Sequence, residues 1–265
     1  MQNQKASVAL IVSTYNWPDA LELVLKSIAQ QTSMPDEIII ADDGSSQLTA
    51  DLIESCKDRY KIPIIHIWHE DRGFQKSRIL NKAVKEAKSD YIIEIDGDII
   101  LDPRFIKDHL EAAKPGFFVQ GSRAMITAEK SNEILQSQKN HFSFFTSGLY
   151  NRFNALRIPA FSWIFQMIPS DPYHIKGCNL AFWKTDYISV NGYNNSFNGW
   201  GGEDYEFGAR LLHRGIKRKL LKFAALSFHI YHLTNSRRNS DANDVIYRKT
   251  LKEKSSWCSD GYAQV

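Results

Sequence analysis

The chain has 265 residues, 43% of them hydrophobic and 24% charged, with a formal net charge of +3. This balance describes an ordinary soluble globular protein of one large domain or two small ones, and the charge is too small to argue for nucleic acid as a partner. Cys56, Cys178 and Cys258 are odd in number, far apart and in no Cys-x-x-Cys spacing, which argues against a disulfide framework or a zinc site and suits a reducing cytoplasm. No apolar run reaches the ~18 to 20 residues of a membrane span. Met1 to Lys5 leads into an apolar segment that stops at Ser13 and Thr14, so no secretion signal is expected.

The first half alternates strand and helix. Ser7 to Ser13 is a β-branched run that predicts a buried parallel strand, and Pro18 and Asp19 open a helix with Leu21, Val24, Leu25 and Ile28 on one face. A second strand over Glu37 to Ala41 ends in the turn formers Asp42-Asp43-Gly44-Ser45-Ser46. Helix over Leu48 to Cys56, strand over Ile62 to Trp68, helix over Phe74 to Ala87 and strand over Tyr91 to Ile95 follow. Strands alternating with helices predict an α/β fold with a mostly parallel sheet, whose ligands gather outside the carboxyl ends of the strands. Three polar clusters, Thr14-Tyr15-Asn16, Asp42-Asp43 and Asp96-Gly97-Asp98, each follow such a strand.

The second half is less regular. Eight aromatics crowd residues 142 to 165 (Phe142, Phe144, Phe145, Tyr150, Phe153, Phe161, Trp163 and Phe165), with Arg152 and Arg157 between them. A core-packing helix pair with a loop is the simpler expectation for this stretch, and a membrane-surface or acceptor-binding element is the alternative. A strand is expected near Gly177 to Trp183, then a glycine-rich loop, Gly199-Trp200-Gly201-Gly202, leading into a helix from Glu203 that ends at Gly215. The segment after His232 is polar, with little periodicity.

Asp96 and Asp98 carry the sharpest question. An isolated Asp-x-Asp is most simply a tight strand-to-helix turn, with Gly97 supplying backbone freedom and Pro103 opening a helix. Two carboxylates at one strand end repel, however, and a divalent cation resolves the repulsion. Oxygen ligands suit magnesium or manganese, and an imidazole from His229 or His232 tilts the choice to manganese. There is no Gly-x-x-x-x-Gly-Lys-Ser/Thr loop and no Gly-x-Gly-x-x-Gly after the first strand, so P-loop and dinucleotide chemistry are poorly supported.

Four stretches, "IVSTYNWPDALELVLKSIAQQ", "IIIADDGSS", "DRGFQKSRILNKAVKEAKSDYIIEIDGDI" and "WGGEDYEFGARLLHRG", together resemble a family 2 glycosyltransferase of the GT-A fold. The last of them is similar to the C-terminal part of β1,4-galactosyltransferases and of chondroitin-polymerase-type domains. The resemblance spans roughly residues 6 to 235. It implies a single Rossmann-like domain over 1–235, with a nucleotide-sugar half to about residue 120 and an acceptor half from about 121, followed by a polar tail over 236–265.

The resemblance also implies roles. Thr14, Tyr15 and Asn16 would line the nucleotide pocket, with Asp43 on the uracil or ribose and Asp42 supporting it. Asp96 and Gly97 would face the donor, with Asp98 on the metal; His229 is the better match for the late ligand, His232 the second, and Asp96 a further candidate. Many relatives carry Ala-Arg-Asn where this chain has Ile79-Leu80-Asn81; Asn81 keeps the spacing, and either Arg78 or Lys76 would meet the diphosphate. Asp204 would be the general base of an inverting displacement, Glu203 would hold the acceptor beside Trp200, Gly201 and Gly202, and Asn179 would face the donor sugar.

The implied reaction moves a sugar from a UDP-sugar to a saccharide or lipid-linked saccharide, with Mn2+ or Mg2+, in bacterial surface polysaccharide or lipooligosaccharide synthesis. The implied location is the cytoplasm, with peripheral association at the inner face of the plasma membrane left open. A nucleotidyltransferase of the same fold and a catalytically silent carbohydrate-binding protein are the competing readings.

Overall fold

The computed structural model describes residues 6–165, 175–233 and 240–265. Seven strands form the larger of two sheets: β1 Val8–Thr14, β2 Glu37–Asp42, β3 Ile64–Trp68, β4 Tyr91–Asp96, β6 Phe117–Gly121, β9 Asn179–Trp183 and β10 Lys217–Leu221. Their order is β10-β6-β9-β4-β1-β2-β3. Every pairing is parallel except those of β9, which runs antiparallel to both β4 and β6. The sheet is therefore mostly parallel, as the alternating pattern predicts.

Both faces of this sheet are covered, which is why its central strands are continuously apolar rather than alternating. Leu10, Val12, Ile38, Ile40 and Ile93 face a core completed by Leu21, Val24, Leu25 and Ile28 of helix α1 Pro18–Ala29. The intervening residues, Ala9, Ile11, Ile39 and Ile92, face a second core with Ile79, Leu80, Ala83 and Val84 of α3 Lys76–Glu86. Helix α2 Gln47–Lys57 follows the Asp42-Asp43 turn, with Ile53 and Cys56 in the first core.

A smaller sheet has the order β5-β11-β7-β8, from β5 Ile99–Leu101, β11 Ser227–His229, β7 Ala124–Ile126 and β8 Leu149–Tyr150. Gly97 and Asp98 carry the chain from β4 of the large sheet directly into β5 of the small one. The turn is thus strand to strand, and Pro103 instead precedes helix α4 Phe105–Ala112. Gly97 presses on the end of β1: its N–H donates to the Ser13 carbonyl at 2.7 Å. A Cβ there would lie 3.0 Å from that oxygen and 3.1 Å from Thr14 Cβ.

Two stretches differ from expectation. The aromatic segment forms no helix pair; it holds β8 and 3-10 turns at Arg152–Ala155 and Pro159–Phe165, interrupted by left-handed backbone at Gly148 (φ 74°) and Asn151 (φ 54°). Phe142 stacks on Phe228 with ring centroids 4.8 Å apart, and Leu149 and Ala155 are buried, whereas Phe145, Phe153 and Phe161 are exposed. The side chain of Trp163 lies outside the described residues.

The polar C-terminal segment is not an unstructured tail. It contains α8 Ser240–Glu253, which packs on α7 Glu203–His213 through Tyr247 against Tyr205 and a hydrogen bond from Thr250 Oγ1 to Glu206 Oε1 at 3.0 Å. Its last residues are tied to Asn191, which donates to the Cys258 carbonyl (2.8 Å) and accepts from Ala263 N–H (2.8 Å). The boundary expected at 235/236 lies outside the described residues.

Asn81 shows how α3 is fixed. It is completely buried, its amide donates to the Tyr193 carbonyl (2.7 Å) and to Asn195 Oδ1 (2.8 Å), and its oxygen accepts from Tyr187 hydroxyl (2.5 Å) and Tyr193 N–H (3.0 Å). All four hydrogen-bonding positions are used inside the protein, so none remains for a ligand. Asn81→Ala strands these partners without removing an exposed group. The expected loss is about 2–4 kcal/mol of unfolding free energy, measured as a lower urea midpoint with an unchanged slope.

Candidate active site

The strand register brings the three polar clusters together. Thr14 pairs with Asp42 across β1 and β2, and Ser13 pairs with Asp96 across β1 and β4, so all three clusters open at the same carboxyl edge.

On one side, three loops are tied into a rim. Asn16, in left-handed backbone (φ 46°), donates its N–H to Ser45 Oγ and accepts from Ser46 N–H, each at 2.8 Å. Tyr15 is half exposed, and its hydroxyl donates to Asp71 at 2.9 Å; that bond raises the phenol's pKa and helps lower the carboxyl's. Asp42 is fully buried, accepting from Ser45 N–H (2.8 Å) and meeting His66 Nε2 (2.9 Å). Asp43 meets His69 Nε2 at 2.7 Å and accepts from Gln75 N–H at 2.8 Å. His66, His69 and Asp71 were not singled out from sequence. The only signal was a His-x-x-His at the end of a predicted strand, an unspecific spacing.

At the centre, Lys76 Nζ donates to Asp96 Oδ1 at 2.6 Å, and Ser13 Oγ donates to the same oxygen at 3.0 Å. Burial favours a neutral lysine, but Asp96, Asp204, Glu94 and Glu203 outweigh it and hold the ammonium's pKa well above the ordinary range. Glu94, on β4 and almost wholly buried, accepts from the Tyr193 hydroxyl at 3.2 and 3.1 Å; burial pushes its carboxyl well up. Arg123 adds a second cation, contacting Cys178 Sγ at 2.5 Å and feeling the fields of Asp96 and Asp98. Lys76 was one of two sequence candidates; Glu94, Tyr193 and Arg123 carried no sequence signal beyond their residue types.

Asp204 lies in the first turn of α7, after Gly202 in left-handed backbone (φ 97°). Its Oδ2 accepts from Gly177 N–H at 2.8 Å, while Oδ1 is buried with no hydrogen-bond partner. A Cβ on Gly177 would stand 2.5 Å from Asp204 Oδ1 and 3.1 Å from Glu94 Oε1, so only glycine fits. Burial raises the Asp204 pKa despite Lys76 and the Gly177 N–H, which pull it down. Glu203 accepts from Gly201 N–H at 3.1 Å, and burial, aided by the Asp204 charge, pushes its pKa up to about 7. Buried Asn243 on α8 donates to the Gly201 carbonyl (2.9 Å) and to the Asn198 carbonyl (3.4 Å), clamping the Trp200-Gly201-Gly202 loop. Asn243 was missed because it lies in the segment read as a tail.

The third group is Asp98, His229 and His232. His232 Nε2 lies 3.2 Å and His229 Nε2 3.4 Å from the same oxygen, Asp98 Oδ2. One ligand atom from each residue can be chosen so that all lie within 4.8 Å of one another. Asp98 Oδ1 and His229 Nδ1 are buried without hydrogen-bond partners. Burial, with help from Arg123 and His232, lowers the His229 pKa against the pull of Asp98, keeping its imidazole neutral as a metal ligand requires. The hydrogen bond to Asp98 raises that of His232. These residues fit a divalent cation, and both histidines belong to the set rather than one. Asp96 stands beside this set, with its Oδ1 bonded to Lys76 and Ser13.

Two expected site residues belong to the framework. Asn81 is spent inside the core. Asn179 is buried against His109 (2.8 Å) and the carbonyls of Ser122 (3.1 Å) and Ala225 (3.3 Å), joining the two sheets. Arg78 lines a cavity with His69 and Gln75, beside Asp43, and faces Asp260 at 3.9 Å.

Comparison with known proteins bears on this arrangement. The sequence model described as Glycosyl transferase family 2 matches residues 9–172, and one described as N-terminal domain of galactosyltransferase matches residues 166–233. Validoxylamine A glucosyltransferase of Streptomyces hygroscopicus subsp. limoneus is 27% identical over 225 residues, covering 79% of this chain and 48% of the relative. Chondroitin synthase of Escherichia coli is 24% identical over 238 residues, covering 84% and 34%. The chain spans about half or less of these relatives' length. Among solved structures, S. aureus TarS superposes with a TM-score of 0.64 at 13% identity, over 92% of this chain and 39% of that one. GalNAc-T7 with UDP, GalNAc and Mn2+ gives 0.63 at 14% identity, over 88% and 45%. The fold is GT-A.

The raised Glu203 pKa has a definite sign for stability. Between its ordinary value of 4.5 and about 7, the folded protein holds a proton there that the unfolded chain has released. Stability from this group is therefore present at low pH and is lost as pH rises through that window, with a slope of at most about 1.4 kcal/mol per pH unit. Glu94 and Asp204 act in the same direction, so Glu203→Gln should flatten the slope without abolishing it. Urea melts of both proteins on either side of the window measure the difference.

Proposed function

Because the chain belongs to glycosyl transferase family 2, we propose that it is an inverting, metal-dependent glycosyltransferase that moves a sugar from a UDP-sugar to a saccharide or lipid-linked saccharide acceptor. The observation that carries this reading is the convergence of His229 and His232 on Asp98, two residues beyond the Asp96 that pairs with Lys76, in the cleft that also holds Asp204. Relatives described as a glucosyltransferase, a hyaluronan synthase and a chondroitin synthase support saccharide chemistry. Solved neighbours described as complexes with UDP, GalNAc and Mn2+ and with GDP-Man and Mn2+ support a nucleotide-sugar donor.

Two imidazoles and one carboxylate favour manganese over magnesium, which prefers all-oxygen sites. When bound, the ion supplies charge neutralisation for a departing diphosphate. Tyr15 and Asp43 would hold the uridine, with the Tyr15–Asp71 contact closing over it. Lys76 and Arg123 would flank the diphosphate as fixed cations. Glu203, held by Gly201, would bind the acceptor with Trp200 against a sugar face. Asp204 would accept the acceptor's hydroxyl proton as that oxygen bonds the anomeric carbon and the carbon–oxygen bond to the diphosphate breaks, inverting the centre. Its Gly177 contact uses Oδ2, and buried Oδ1 has no hydrogen-bond partner within the protein. A cytoplasmic role in surface polysaccharide or lipooligosaccharide assembly fits this chemistry.

Two measurements test the reading. Asp98→Ala should abolish the gain in UDP affinity that manganese brings in calorimetry, and chelation should silence the wild type; unchanged turnover in excess EDTA would refute the metal's role. Asp204→Asn should lower turnover by at least ~10²-fold, the usual scale of general-base assistance, with UDP-sugar affinity nearly unchanged. Near-normal turnover in that variant, with Glu203→Gln inactive, would exchange the two roles.

A further inference from the structure

The aromatic segment presents a surface that the proposed chemistry does not use. Phe145 is 85% exposed and Phe153 69%, and Phe144 joins them, with ring centroids 5.3 Å from Phe145 and 6.1 Å from Phe153. Tyr150, at the end of β8, is 43% exposed. Scattered exposed apolar residues are ordinary, but two exposed phenylalanines bridged by a third, half-buried one form a more unusual surface.

The charge of the segment that carries them is one-sided. Residues 138–165 contain Lys139, Arg152 and Arg157 and no aspartate or glutamate. Arg157 is committed to Asp108 through paired contacts of 2.6 and 2.7 Å, which pin the 3-10 turns to α4. Lys139 is exposed and Arg152 is half exposed, directly before Phe153. Exposed rings on a stretch of chain that carries cations and no acid of its own match an anionic bilayer surface: rings enter the headgroup boundary, and Lys and Arg meet lipid phosphates. A second copy of this chain would bring like charge against like. No helix among the described residues is long and apolar enough to cross a membrane, so the contact would be peripheral.

The patch is also coupled to the cleft. Phe142, two residues before Phe144, stacks on Phe228, which immediately precedes His229. We propose that the Phe144–Phe145–Phe153 face seats the protein on anionic phospholipid, bringing the acceptor side of the cleft to the bilayer. The surface itself does not depend on the transfer reading, so a binding measurement without turnover judges it separately.

Vesicle flotation at low and high salt is the test, using phosphatidylcholine alone and phosphatidylcholine mixed with phosphatidylglycerol. The full chain should float with the mixed vesicles, not with phosphatidylcholine alone, and release at high salt. F145S/F153S should cut the bound fraction about tenfold or more, given the burial value of two phenylalanines, and K139E/R152E should remove the preference for phosphatidylglycerol. Both variants alter surface positions, so their melting temperatures and UDP binding should match the wild type. Absence of flotation by the wild type, or flotation indifferent to both variants, would overturn the proposal. So would sedimentation showing a dimer that F145S/F153S dissolves while vesicles stay unbound, which would assign the face to a second copy.

Discussion

A single ammonium group lets four carboxylates share the floor of one cleft. Lys76 rises from the first turn of α3 into the field of Asp96, Asp204, Glu94 and Glu203, and its charge, with that of Arg123, opposes the burial and mutual repulsion that would otherwise protonate Asp96 and Asp204 more readily. The pairing with Asp96 fixes the charge nearest the strand end. Burial raises each of the remaining acids: Glu94 well up, Glu203 to about 7, and Asp204 against the pull of Lys76 and the Gly177 N–H. A general base and a neutral hydrogen-bonding acid can then stand side by side. The position of α3 is set in turn by Asn81, so an apparently structural amide governs where the ammonium lies.

Much of the frame was legible in the sequence because its central strands are buried on both faces, and apolar runs of that kind tolerate few other readings. The clusters after β1, β2 and β4 were legible for the same reason: polar residues abruptly ending a buried strand mark the edge of the sheet. The antiparallel insertion of β9 between β4 and β6 was not legible, since pairing partners far apart in sequence leave no local trace. Helix α8 escaped notice for a different reason. Its inward face is Asn243, Tyr247 and Thr250, a helical spacing in which two of three residues are polar, so hydropathy carries no period.

The site residues divide along a similar line. Asp98, His229 and His232 could be named from residue type, yet only the fold shows that both imidazoles reach one carboxylate oxygen. Asn81 and Asn179 look like ligand-binding amides in sequence, and burial with every polar atom satisfied makes them framework. Arg123 and Glu94 are the converse, residues with no motif whose importance comes from what the sheets place beside them.

The passage of the chain from one sheet to the other at Gly97 has a mechanical meaning. Asp96 belongs to the large sheet, whereas Asp98 and His229 are tied to the small one through β5 and β11. A sliding or tilting of the two layers would therefore change the distance between the two aspartates. The N–H of Gly97 on the Ser13 carbonyl, with only a tight fit for a side chain beside it, acts as the rivet that opposes such shear. A bulkier residue at 97 would detune the spacing of the two carboxylates while leaving each one intact.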